Sequence, residues 1–136
     1  MKRRRQLRTG TLAALALLAA TACDSANLIG PDNQLEVTSA TDNFQFQVSA
    51  LQNVSQTVDY DWEITGTRAK VDISQAITSG SAMLTITDAD GTVVYEDDIA
   101  ADNDGDTPPG TAGTWRISVR LVDVTGTFNF RVQKVT

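Results

Sequence analysis

Val58-Asp59-Tyr60-Asp61-Trp62-Glu63-Ile64 alternates apolar and acidic residues without interruption. Successive side chains of a strand point to opposite faces, so this spacing places Val58, Tyr60, Trp62 and Ile64 on one face and three carboxylates on the other. In a helix the same residues would be scattered around the axis and no face could be buried. The segment reads as a strand with one dry and one wet side.

The pattern recurs along the chain. Phe44, Phe46 and Val48 alternate with Gln45, Gln47 and Ser49, and Ala69, Val71 and Ile73 with Lys70, Asp72 and Ser74. Ala82, Leu84 and Ile86 alternate with Met83, Thr85 and Thr87. Trp115, Ile117, Val119 and Leu121 alternate with polar residues and Val122, and Phe128, Phe130 and Val132 follow the same rule. Asp90-Gly91 favours a tight hairpin turn between 82–88 and 92–96. Thr125-Gly126 favours the same hairpin turn between the Trp115 and Phe128 strands, and Thr65-Gly66 and Ser79-Gly80 read as further boundaries between strands. The expected fold is all-β: an antiparallel β-sandwich, jelly-roll or Ig-like, of about seven to eight strands over residues 34–136. A closed barrel is the alternative.

Composition excludes several chemistries. The 136 residues contain no His and one Cys. That removes a Ser-His-Asp triad, a Cys-His pair, a His-ligated zinc site and an intramolecular disulfide. The net charge of −6 argues against a nucleic-acid partner. The charge is unevenly placed. Lys2, Arg3, Arg4, Arg5 and Arg8 precede an uncharged stretch, Thr11–Ala22, and all 17 acids lie at Asp24 or later. Twelve residues are too few for a membrane-spanning helix, which needs about 20. A basic start, a short apolar run and small residues at its end make a secretory signal peptide over 1–22. A buried amphipathic helix is the competing reading, but Leu12–Leu18 offers no polar face.

Leu18-Ala19-Ala20-Thr21-Ala22-Cys23 resembles the lipobox of bacterial lipoproteins. The resemblance covers residues 1–23 and implies cleavage between Ala22 and Cys23. It also implies a diacylglycerol thioether on Cys23, often with an N-acyl chain. Ala20 stands where the family usually has Leu. The competing readings are an ordinary secretory cleavage after Ala22 or a buried free thiol. Asp24 matches the inner-membrane retention signal of enterobacterial lipoproteins, or simply opens a solvated linker. The resemblance makes the membrane a partner through the N-terminal lipid, and the cell envelope, on its periplasmic or extracellular side, the location. The mature chain would have 114 residues and a net charge of −11. Residues 23–33 read as anchor and flexible tether.

Residues 80–135 resemble, at the level of pattern, the jelly-roll-like pre-peptidase C-terminal modules of secreted bacterial proteins. The shared order is Asp88-Ala89-Asp90-Gly91, a strand, a polar loop, then Gly113-Thr114-Trp115 opening a long strand. The resemblance implies an accessory, non-catalytic module.

Four features are candidates for chemistry. Asp97, Asp98, Asp102, Asp104 and Asp106 put oxygen ligands around Gly105, as a calcium loop requires. An EF-hand with Gly105 at its sixth position needs an acid at Ala100, so that motif fails. The competing reading is a solvated acidic loop that keeps neighbouring strands from pairing. Asp59, Asp61 and Glu63 have the residue types of a glycosidase pair. Their separation on one strand face is set by the pleat and not by a cleft, and cross-strand pairing with Arg68, Lys70, Arg116, Arg120 and Arg131 accounts for them. Trp62 and Trp115 serve as a sugar-stacking platform or as core. Asn53-Val54-Ser55 is a glycosylation sequon, without meaning in a bacterial protein. No catalytic residue is assigned, no cofactor is required beyond a candidate calcium, and the envelope partner, protein or glycan, is not named by the sequence.

Overall fold

Six strands account for most of residues 27–136, the part of the chain that the computed structural model describes. The expected signal segment, Ala22, Cys23 and Asp24 lie outside the described residues. The strands are β1 (Glu36–Ala40), β2 (Asn43–Ile64), β3 (Ala69–Thr87), β4 (Val93–Asp98), β5 (Gly105–Asp106) and β6 (Gly113–Lys134). They form one sheet in the order β1-β2-β6-β3-β4, with β5 on the free edge of β3. Every pairing among them is antiparallel.

The long strands β2, β6 and β3 shape the molecule. The β2–β6 register slips between Val48 and Gln56, and the β3–β6 register slips between Ile77 and Ser81. These irregularities lie side by side, because Leu51 and Ile77 both face Gly126. Sixteen residues separate Phe44 from Tyr60, or about 50 Å along a straight strand. Their ring centroids are 5.6 Å apart. The sheet therefore doubles back on itself along a crease at mid-strand, as strands do when they turn a corner through bulges. Beyond the crease the strand ends meet again. Asp42 N donates to Glu63 O, Lys134 N to Asp42 O and the Trp62 indole to Ala40 O.

The crease is built from unusual backbone. Ala50, Asn53 and Asp123 have φ near +50°, and Gly80 and Gly126 have φ of +82° and +142°. Hydroxyls replace the lost ladder bonds. Thr127 Oγ1 accepts from Ala50 N, Thr125 Oγ1 from Asn53 N and Ser55 Oγ from Asp123 N, at 2.9–3.0 Å. Ser79-Gly80 and Thr125-Gly126 are thus bends within strands, not turns between them. With the bend in β2 they join six of the expected strands into three, and β1 and β5 are additional, so six strands are found where seven to eight were expected. The Asp90-Gly91 hairpin and the Thr65-Gly66 boundary fall where the sequence placed them.

Nearly every residue assigned inward by the period of two is buried between the folded halves, from Phe44 to Val132. Val58 and Tyr60 are half-buried. Ile99, on a 3₁₀ turn after β4, is fully buried with them.

The expected tether is held down over its second half. Asn27 bridges to Val54, Ser55 N donates to Asn27 O, and Ile29 N donates to Gln56 Oε1. Pro31–Asn33 forms a 3₁₀ turn, and the Asn33 amide, 8% exposed, donates to both Ser49 O and Ala50 O at 3.0 Å. Residues 27–33 are a strap across the crease, because two asparagine amides satisfy carbonyls that the bulges free. We expect Asn33→Ala to cost about 1–2 kcal/mol by leaving both carbonyls unpaired. Hydrogen exchange at the Ser55 amide should accelerate in that variant more than exchange at the Val119 amide.

Candidate functional site

The acidic segment contains ordered structure. Asp98 Oδ1 caps the 3₁₀ turn Ile99–Ala101 through Ala100 N, and Asp97 accepts from Asp98 N and from the Asn103 amide. Asp104 Oδ1 accepts from Ile73 N at 2.8 Å. Asp106 pairs with Arg68 at 3.8 Å, in β5 beside Lys70 of β3. Asp102 takes the left-handed conformation that ends the turn, and its amide donates to Ile99 O. The carboxylates of Asp97, Asp98, Asp104 and Asp106 are distributed from β4 to β5 and bonded to different partners. Among the described residues no three acids gather as a metal site would need. Tyr95 donates to Asn103 O, and burial, then Asp97 and Asp104, pushes its hydroxyl up to about 12.

Asp88 organises the β3–β4 turn, at the end of the sheet away from the crease. Oδ1 accepts from Asp90 N and Thr92 N, and Oδ2 from Thr111 N. The Thr92 amide does most to hold this carboxyl below 3.8, against the opposing effect of burial, and the Thr111, Asp90 and Gly91 amides add to it. Asp42 is held low in the same way, chiefly by the Thr65 amide, with the Thr65 hydroxyl and Lys134 beside it. Both carboxylates stabilise the fold fully above pH 3.8, and that contribution is lost as pH falls through their lower folded values. Thermal unfolding followed by circular dichroism should therefore give a Tm that drops steeply only below pH 3.8. Asp88→Asn should lower the Tm at pH 7 and flatten the acid limb. An unchanged acid limb in that variant would remove Asp88 from the account.

The remaining candidates resolve into packing and surface pairing. Asp61 stands opposite Arg116 in the β2–β6 ladder at 4.0 Å, and Glu63 accepts from the Thr114 hydroxyl. Asp59 faces Ser118, and Asp72 of β3 faces Arg131. Exposed pairs of this kind contribute about 0–1 kcal/mol each. Trp62 and Trp115 are 1% and 0% exposed and meet edge to face at 6.0 Å. Each indole donates inward, to Ala40 O and Thr111 O. They are core, and the sugar-platform alternative is set aside because no ring face is open.

A concave surface lies under the strap at the crease. Asn27, Leu28, Pro31 and Asp32 form one wall, and Ala50, Gln52 and Val54 the other, around an open groove of about 390 Å³. Leu28 is 61% exposed, the most exposed large apolar side chain among the described residues.

Neither a protein-family model nor a curated protein matches the sequence. Some solved structures bear a weak likeness to it. The accessory secretory protein 1, 2 and 3 structure from Streptococcus pneumoniae has a chain with 11% identity and a TM-score of 0.37. The match covers 79% of this chain and 92% of that one. The glycosylation-associated protein complex Gap123 from Streptococcus agalactiae matches at 12% identity and a TM-score of 0.35, over 83% of this chain and 43% of that one. The SPBc2 prophage-derived protein YomS matches at 15% identity and a TM-score of 0.30, over 71% and 99%.

The sequence did not point to the groove. Asn27, Leu28 and Asn33 sit in a Gly- and Pro-containing stretch with no period, which has the composition of a linker. The one available signal was the pair of asparagines, whose amides can replace backbone donors at a bend.

Proposed function

We propose that this chain is a lipid-anchored module of the bacterial cell envelope that works by binding or by structural support, without catalysis of its own. The observation that carries this reading is Cys23, the single cysteine, placed directly behind the apolar stretch Thr11–Ala22 and its basic lead. Two or three acyl chains on one residue anchor a protein stably, whereas one holds it only marginally. The doubled-back sheet is read here as a two-layer sandwich, an accessory module of the jelly-roll-like kind that residues 80–135 resemble. The bonding of Asp98, Asp104 and the two indoles to the protein's own backbone supports a structural role for these candidates.

The test is expression of the full-length chain with fractionation and intact-mass measurement. The wild type should sit in the membrane fraction with a mass corresponding to residues 23–136 plus acyl groups. Cys23→Ser should lower membrane retention by about tenfold or more, in line with the loss of every acyl chain. An unmodified Cys23, or equal retention of the variant, would overturn the reading.

A further inference from the structure

The geometry points to the crease of the sheet as the face that rests on the lipid surface, with the opposite end directed away from it. The inference rests on the lipid-anchor reading and adds an orientation to it. Three independent observations carry it.

The first is the point of attachment. Asn27, only four residues beyond Cys23, is already bridged to Val54 and hydrogen-bonded to Gln52 and Ser55 at the crease. Four residues reach at most about 14 Å. A half-strand from the crease to the opposite end, such as Val54 to Ile64, extends about 30 Å. A domain fixed at its crease by so short a connection cannot turn its other end toward the anchor unless the strap detaches.

The second is charge. The crease segments 27–34, 49–56, 76–81 and 122–127 hold two of the 17 acids, Asp32 and Asp123, and none of the Lys or Arg residues. The opposite end and the flanks of the sheet carry most of the rest. Anionic headgroups repel a negative surface over a Debye length, so a strongly acidic domain approaches them best by its least charged end.

The third is exposed apolar surface. Of the four large apolar side chains exposed among the described residues, Leu28 and Val122 lie on the crease and Leu35 directly beside it. Leu28 lines the groove and is largely exposed, so it is accessible to the headgroup layer. Apolar side chains at that depth gain from burial at the lipid boundary.

The experiment uses the lipidated full-length protein in vesicles of phosphatidylethanolamine and phosphatidylglycerol that carry a headgroup nitroxide quencher. Single cysteines are introduced at exposed positions, Ser79→Cys on the crease and Thr67→Cys at the opposite end, and labelled with a fluorophore. Cys23 is blocked by its thioether, so the new thiol is the only reactive one, and circular dichroism confirms that each variant is folded. The label at position 79 should be quenched at least about threefold more than the label at 67, as a separation of about 30 Å requires. Leu28→Asp should reduce quenching at position 79 by about twofold while the acyl mass is retained, since it removes the apolar contact. Equal quenching, stronger quenching at 67, or no quenching at either site in a protein of correct acylated mass would overturn the orientation and leave the anchor standing. A protein with unmodified Cys23 would overturn both.

Discussion

Gly80→Ala should destabilise the fold by about 3 kcal/mol or more, enough to leave a domain of ordinary stability largely unfolded on modest heating. Gly80 has φ +82°, and a Cβ built on it would lie 2.1 Å from Asp123 O and 2.6 Å from Val122 O. Both obstacles are backbone of the neighbouring strand at its own bend, so no side-chain rotation relieves them. Gly126 is in the same position, with a Cβ 2.4 Å from Ala76 O, and Gly126→Ala should behave alike. Gly91 is the control. It has φ +88° in the β3–β4 turn, and a methyl group there would meet nothing within 4 Å. Gly91→Ala therefore carries only the left-handed backbone cost, about 1–2 kcal/mol. Urea unfolding of the three variants separates conformational strain from steric exclusion. Equal losses at 80 and 91 would show that close approach at the crease is not what requires glycine there.

The same residues explain how much of the fold could be read in advance. The period of two assigned Phe44, Trp62, Leu84, Ile117 and Phe130 to the interior correctly, because burial of one face is a local property of alternation. The bends were harder, since Ser-Gly and Thr-Gly have the same composition whether a chain reverses or merely corners. What distinguishes the two is pairing with a strand far along the chain, which no short window contains. A trace was nevertheless present. Val48, Leu51 and Val54 all point inward at steps of three, and so do Leu121 and Val124. An odd step would flip a regular strand to its other face, so inward residues three apart mark bulges.

The candidate site was less legible for a different reason. Acidic residues at positions 97–106 resemble ligands by type and spacing, yet their directions are set by a 3₁₀ turn and by the edge of β3. The Ile73 amide and the Arg68 side chain that take Asp104 and Asp106 come from 31 and 38 residues earlier in the chain. The strap is the converse case. Asn33 carries no ligand-like signature, and its role follows entirely from two carbonyls, Ser49 O and Ala50 O, that the bend in β2 leaves without ladder partners.

Phe46→Ala should be the most costly single truncation of the aromatic core, at about 3–5 kcal/mol and a fall in Tm of roughly 10–20 °C. The ring is 1% exposed. It stacks on Phe130 at 5.2 Å and on Phe128 at 5.7 Å, both from the adjacent strand β6. It also meets Tyr60 edge-on at 6.1 Å, from the far half of its own strand. The first two contacts lie within one half of the folded sheet, and the third joins the two halves. Removing the ring opens a cavity that neither half can close alone, since both are fixed by their ladders. A double-mutant cycle with Tyr60→Leu isolates the contact between the two halves and should return a coupling of about 0.5–1.5 kcal/mol, the range for a well-placed aromatic pair. A coupling of zero would mean that the two halves are held together by the crease and the strand ends, with the rings between them acting only as filler. A coupling in the expected range makes the folded sheet one cooperative unit, in which the crease glycines permit the fold and the aromatic contact holds its two halves in register.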